Sequence, residues 1–290
     1  VAEDGESEQN GGQVGGQADG QTGGQVPEVV ADVFAEQAGS IELLWGRRGR
    51  PSRGPKPALS LEGITRTAIA LADAGGLAAV SMQRIAGELN FTKMSLYRYV
   101  PGKTELIALM IDTAMGEPPA LRVDLGWRAA LREWAESLSA VLHRHPWLLA
   151  ATVGHRVMGP HELGWTESAL AALADTGLDG ARQLDAVVVV NGHIRNLAQV
   201  ATSMGTGSTR GEGTAPASQG PEQVMSSALN ELLVGRSDRY PALAAAVASA
   251  AAGGSRDQAL EFGLERILDG LESYMSRRAE VQGSAPDTPG

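Results

Sequence analysis

Residues 80–103, VSMQRIAGELNFTKMSLYRYVPGK, restrict the fold of this 290-residue chain more than any other stretch. They spell two short helices joined by a tight turn, the pattern of a helix-turn-helix that enters a DNA major groove. Ser81 can cap the first helix, because its hydroxyl oxygen accepts one of the orphan N–H groups at a helix start. Ile85, Ala86 and Leu89 follow at helical spacing and make an apolar face. Asn90 falls at the turn, where Asn tolerates a left-handed backbone better than most residues. Thr92 can cap the second helix, and Leu96 and Val100 anchor it inward. A plain helical hairpin with a solvated cationic face would use the same residues, so the pattern needs support from elsewhere in the chain.

Charge supplies part of it. The whole chain carries a formal net charge of −10, which on average does not suit nucleic acid. The charge is segregated, however. Residues 1–46 hold nine acids and no Lys or Arg, whereas residues 47–103 hold ten bases against three acids, a net of +7. Neutralising phosphates is a local matter, so the +7 segment decides.

Composition narrows the class further. Aromatics make up 4% of the chain, and Ala and Leu fill most apolar positions, which favours helix over sheet. The chain has no Cys, which excludes disulfides and thiolate metal sites and fits a reducing cytoplasm. There is no apolar run of membrane-spanning length, so no membrane partner is expected. His143, His145 and His155 lack metal-site spacing, and no phosphate loop, dinucleotide fingerprint or nucleophile elbow is present. Neither an enzyme nor a cofactor or metal site is expected.

Residues 1–46 read as a disordered acidic Gly/Gln-rich tail, with a short helix between Glu28 and Ala38. Residues 47–57 form a basic arm in which prolines and glycines forbid helix. Its GRRGRP core resembles the AT-hook, with Arg47, Arg48, Arg50 and Arg53 placed to enter a narrow, negatively polarised minor groove. A solvated linker that only brushes phosphates is the plainer alternative. Helices are predicted at about 60–75, 81–89, 92–99, 103–115, 127–143, a short one after Trp147, then 161–175, 180–203, 221–234 and 257–278, with an alanine-rich stretch at 240–251. A mobile loop is expected at about 205–220 and a disordered tail at 280–290.

Residues 59–115 resemble the DNA-binding head of the tetracycline-repressor (TetR) family of bacterial regulators. The Gly75, Gly76 pair, Ile85 with Ala86, the run Leu96, Tyr97, Arg98, Tyr99, Val100, and Lys103 ahead of Leu106 carry the resemblance. Asn90 stands where the family usually has Gly. Residues 121–204 and 240–278 resemble the C-terminal domain of the tetracycline repressor itself, through Trp127, the HRHPW run at 143–147, Gly159 with Pro160, Gly177 with Leu178, Gly192 with His193, and EFGLERILDG at 261–270.

The resemblance implies an all-α protein: a three-helix head at 58–117 and an effector-binding and dimerisation domain at 118–279. It implies that Ser81, Gln83 and Thr92 contact phosphates, that Lys93, Met94, Ser95 and Arg98 read base edges, and that Tyr97, Tyr99 and Lys103 clamp the backbone. It implies a homodimer, with Val188 on one helix and Leu264, Ile267, Leu268 and Leu271 on the last helix as interface candidates. It also implies a small-molecule effector that releases a repressor from a palindromic operator. Trp134 and Ala169 replace the Asn and Gln of the tetracycline pocket, and Thr152 replaces its first magnesium-holding His. Pro119 falls near its entry-side His, while Arg156 and His193 match. A magnesium-bound tetracycline is therefore disfavoured. An apolar or aromatic effector is expected among Trp134, Leu138, Trp147, Thr152, His155, Arg156, Met158, Trp165, Asn191 and His193. A DNA-binding regulator without an effector, acting constitutively or through a protein partner, is the alternative.

Overall fold

The computed structural model describes residues 32, 34–46, 59–207, 221–252 and 259–283, and every regular element among them is helical. The helices are α1 (Ala38–Trp45), α2 (Leu61–Gly75), α3 (Met82–Glu88), α4 (Lys93–Tyr97), α5 (Lys103–Met115), α6 (Trp127–Arg144), α7 (Leu148–Ala151), α8 (Pro160–Leu173), α9 (Gly180–Gly207), α10 (Pro221–Leu233), α11 (Pro241–Ala252) and α12 (Ala259–Gly283). Short 3-10 turns lie at Leu77–Ala79, Val123–Leu125 and Ala174–Thr176.

Local chemistry sets the head. Ser60, Ser81 and Thr92 cap α2, α3 and α4, accepting from the amides of Gly63, Arg84 and Ser95 at 3.1, 3.2 and 3.3 Å. Such caps contribute about 1 kcal/mol each. Asn90 turns the chain between α3 and α4 with φ 58°, the left-handed value expected at that corner. Ile64, Ala68, Ile85, Ala86, Leu96 and Val100 close a small core, and Leu106 and Met110 of α5 extend it toward the body.

In the body, α6, α8 and α9 surround a second part of the same core, and α12 lies along α9. Arg128 ties α6 to α12 through Glu265 at 2.7 Å, Asp269 at 2.5 Å and Glu272 at 3.2 Å, and Arg132 adds a second contact to Glu265.

The structure moves several expected boundaries. Of the helix expected between Glu28 and Ala38, residues 28–31 and 33 lie outside the described residues, while residues 32, 34–36 and 38 are helical and α1 starts where it was expected to end. Helix α1 packs on α5, so the end of the acidic segment belongs to the folded body. Helix α9 runs to Gly207, past the predicted start of the 205–220 loop, and α12 runs to Gly283. The basic arm with Arg47, Arg48, Arg50 and Arg53, and most of the acidic tail, lie outside the described residues. Among the described residues no helix is long and apolar enough to cross a membrane, and no cluster of His, Asp and Glu has a metal-holding arrangement.

Candidate nucleic-acid interface and inner cavity

The outer side of α3 and α4 carries polar and charged groups that folding does not consume. Ser81, Gln83, Thr92, Lys93, Met94, Tyr97, Arg98 and Lys103 are all exposed. Met94 is the telling one, at 72% exposure, because an unbranched apolar side chain gains nothing from water. The Lys93 ammonium lies 5.7 Å from the centroid of the Tyr97 ring. Cation and ring thus share one edge of α4. Ser81 accepts an amide proton, which leaves its own O–H to donate outward. The Thr92 and Ser95 hydroxyls are 2.9 Å apart and share one hydrogen between them. Tyr99 is half-buried and packs against the core. The face thus offers cations, hydroxyls and one soft apolar contact on a helix short enough to enter a groove.

The body holds a partly open cavity of about 240 Å³. Trp134, Leu138, Met115, Met158, Trp165 and Val187 supply its apolar wall, and Thr152, Arg156, Glu162, Asn191 and Arg195 its polar one. The two indoles meet edge to face, centroids 6.1 Å apart. Both indole N–H groups are used: Trp134 donates to the Trp165 carbonyl at 2.8 Å, and Trp165 donates to the Gly116 carbonyl at 3.0 Å. A cavity wall is thereby bonded to the C-terminal end of α5, the helix that begins at the head. A second tie lies beside it. Buried Asp112 of α5 accepts from the His161 amide at 2.8 Å, and His161 Nδ1 lies 2.8 Å from the Asp112 carbonyl. Burial pushes the Asp112 carboxyl above its ordinary value, opposed by the bond from the His161 backbone.

Arg156 and Glu162 pair through two bonds of 2.6 and 2.5 Å. Arg195 is held differently, by the Thr152 hydroxyl at 2.9 Å and the Leu149 carbonyl at 3.1 Å. Burial lowers the pKa of its guanidinium below the ordinary arginine value, with Arg156 adding to the effect and Glu162 opposing it.

Seven of the ten expected pocket residues line this cavity: Trp134, Leu138, Thr152, Arg156, Met158, Trp165 and Asn191. Three do not. His155 is exposed, and its carbonyl accepts from Gln37 of the N-terminal segment at 3.0 Å. His193 faces α12, with its ring directly against Gly263 and its buried Nε2 without a partner among the described residues. Trp147 lines a separate cleft of about 770 Å³ between head and body, where its indole donates to Asp73 at 2.7 Å.

Two residues of the expected dimer stripe lie inside the protomer. Leu264 and Leu268 are 2% and 0% exposed and serve the protomer's own core, with Ile267 and Leu271 half-buried beside them. Val188 is 68% exposed, and Val189, Leu184 and Phe262 are also open. Sequence reasoning missed Arg195 and Glu162. A lone Arg on a long helix and a Glu in a first turn both read as solvated residues.

Comparison with known proteins agrees with this geometry. Residues 64–110 match the model for bacterial regulatory proteins of the tetR family, and residues 119–275 match the model for the tetracyclin repressor-like C-terminal domain. The chain is 38% identical over 248 residues to the HTH-type transcriptional repressor DrrR1 of Streptomyces coeruleorubidus, covering 83% of this chain and 87% of that one. It is 32% identical over 158 residues to an HTH-type transcriptional regulator of Saccharopolyspora erythraea, covering 54% of this chain and 66% of that one. Among solved structures, the Streptomyces coelicolor TetR family protein ActR in complex with actinorhodin superposes with a TM-score of 0.57 at 25% identity, covering 77% of this chain and 99% of that one.

Proposed function

We propose that this chain, which belongs to the TetR family of bacterial regulatory proteins and is a DNA-binding transcriptional regulator, works as a homodimeric repressor released from a palindromic operator by a small apolar or aromatic effector. The observation that carries the reading is the bond from the Trp165 indole, in the wall of the inner cavity, to the Gly116 carbonyl at the end of α5. A ligand that moves Trp165 moves the end of α5, and the other end of α5 packs against α2 of the head. Such a ligand releases DNA only to the extent that it binds the non-DNA arrangement more tightly.

Repression is supported by the relative that bears that name at 38% identity, and a small-molecule effector by the ActR complex with actinorhodin. The existence of a partly polar cavity in the body speaks against the alternative without an effector. Lys93, Met94, Ser95 and Arg98 are the proposed base-edge readers, and Ser81, Gln83, Thr92, Tyr97, Tyr99 and Lys103 the proposed backbone contacts. The arm with Arg47, Arg48, Arg50 and Arg53 is the proposed minor-groove contact. Dimerisation has a physical use here. One short helix reads few base pairs, and two related by symmetry read a palindrome about one helical turn apart or a multiple of it.

Footprinting of the full-length protein on DNA flanking its own gene, at low and moderate salt, tests the reading. A protected palindrome at both salts is expected. Retention of DNA only at low salt, with no protected site at that locus, would count against an autoregulated operator.

A further inference from the structure

The inner cavity carries an uncompensated positive charge. Its charged lining residues are Arg156, Glu162 and Arg195. Arg156 and Glu162 cancel in a two-bond pair. Arg195 has only neutral partners, the Thr152 hydroxyl and the Leu149 carbonyl, and among the described residues no carboxylate lies within ion-pair distance of it. Asp112, the other buried acid nearby, is held by His161 on α8 and does not line the cavity. A partly buried cation without a counter-ion is costly, and folded proteins ordinarily pair such a group or leave it in water.

We propose that Arg195 receives the anionic group of the effector, and that the inner cavity takes a small aromatic acid of one or two rings. This rests on the reading of the cavity as the effector site. The volume of about 240 Å³ is below the usual range for drug-sized ligands, which limits the ring count. The ring lies against Trp134, Trp165, Leu138 and Met158. The carboxylate faces the planar guanidinium, which can hold both of its oxygens, and the Asn191 amide. Glu162 does not repel the acid, because Arg156 already neutralises it. Binding of the anion supplies the counter-charge that the fold lacks, so the acid form gains an interaction that a neutral ring cannot. Helix α9 carries Arg195 and α7 supplies Leu149, so the same contact changes the tie between these two helices.

The test uses isothermal titration calorimetry of the full-length protein with benzoate, 1-naphthoate and 2-naphthoate, each against its primary amide. Operator release is followed in parallel by fluorescence anisotropy. For at least one pair the acid should bind about ten-fold or more tighter than the amide, as expected for a charge-assisted bond in a partly dry site. Arg195→Met should bring the two affinities to within about two-fold, chiefly by weakening the acid. Arg195→Lys, which keeps the charge without the fork, should retain part of the preference and serves as the check if the Met variant does not fold. Equal binding of acid and amide to the unmodified protein, or a preference that survives in Arg195→Met, overturns the anion assignment but leaves the cavity as a ligand site. Absence of binding and of operator release by every acid and amide overturns the effector reading of this cavity and the assignment with it.

Discussion

The Trp147 indole donates to Asp73 Oδ1 at 2.7 Å, and His145 Nδ1 lies 2.8 Å from the same oxygen. Asp73 belongs to α2 of the head and Trp147 to the turn after α6, so one carboxylate oxygen ties head to body. Trp147 is 5% exposed, and removing its acceptor strands a buried N–H. Asp73→Ala is expected to lower unfolding free energy by about 1–3 kcal/mol, the cost of an unsatisfied buried donor. Asp73→Asn keeps a carbonyl acceptor and should lose clearly less. Urea denaturation of the three proteins checks this, and equal losses in both variants would mean that charge rather than the accepted bond matters.

Trp147 also shows where the sequence stops being readable. Its place in the HPW run reveals a helix end and an aromatic side chain, but its acceptor is 74 residues away. The head is legible because its determinants are local: Ser81 and Thr92 cap within three residues, and Asn90 makes its own turn. The stripe of Leu264 and Leu268 has the right period but does not reveal what covers it, and the cover is the same chain. Arg195 is invisible for the same reason, since its bonded partners are Leu149 of α7 and Thr152 just after it, 46 and 43 positions away. Helix α1 depends on bonds to residues more than a hundred positions away.

That dependence makes α1 testable. The Gln37 amide donates to the His155 carbonyl at 3.0 Å and accepts from the Val157 amide at 2.8 Å, while Trp45 donates to the Met158 carbonyl at 3.0 Å. Small residues Gly39 and Ser40 let α1 approach α5 closely, with Gly39 against the Glu105 side chain. The basic arm begins two residues after Trp45, so α1 is the described element that precedes it. Gln37→Ala combined with Trp45→Ala should speed hydrogen exchange across residues 38–45. It should also weaken operator binding and flatten its salt dependence, because the helix preceding the arm's cations comes loose. Unchanged protection of α1 would show that its packing on α5 alone suffices.

Arg98 is exposed at the end of α4, capping it with its backbone rather than its side chain. Among the described residues its guanidinium has no bonded partner, which leaves it to pair with guanine. Arg98→Ala is expected to cost about 1–3 kcal/mol at the operator and much less on random DNA. Anisotropy titrations on both duplexes decide it, and an equal loss on each would demote Arg98 to a phosphate contact.

Glu265 and Asp269 titrate against the arginines of α6 and α12. Bonds from Arg128 and Arg132 hold the Glu265 carboxyl below its ordinary 4.5, and bonds from Arg128 and Arg266 hold Asp269 below its ordinary 3.8. A depressed carboxyl stabilises the fold above its unfolded pKa, and that stability is lost as pH falls through the folded pKa. Thermal midpoints should therefore drop as pH falls from about 4.5 downward, over the window these shifts define. Glu265→Gln should start lower at neutral pH and fall less steeply in acid. Parallel midpoint curves for variant and unmodified protein would show that the α6–α12 cluster does not contribute.

Val188 is 68% exposed on α9, and Val189 beside it is 54% exposed, an apolar pair that none of the described residues covers. A two-fold interface brings each residue of one copy against the matching patch of the other, so one substitution acts twice. Val188→Asp would place two carboxylates in or beside a desolvated seam, each without a partner, and burial of an unpaired charge is strongly unfavourable. The protomer itself should tolerate the change, because Leu264 and Leu268, which hold α12 in place, are untouched. Sedimentation velocity is expected to show the unmodified chain as a dimer and the variant as a folded monomer, with operator affinity reduced because the two heads are no longer coupled. A variant that stays dimeric would move the interface off this face of α9, toward another exposed surface such as that around Phe262 and Tyr274 on α12.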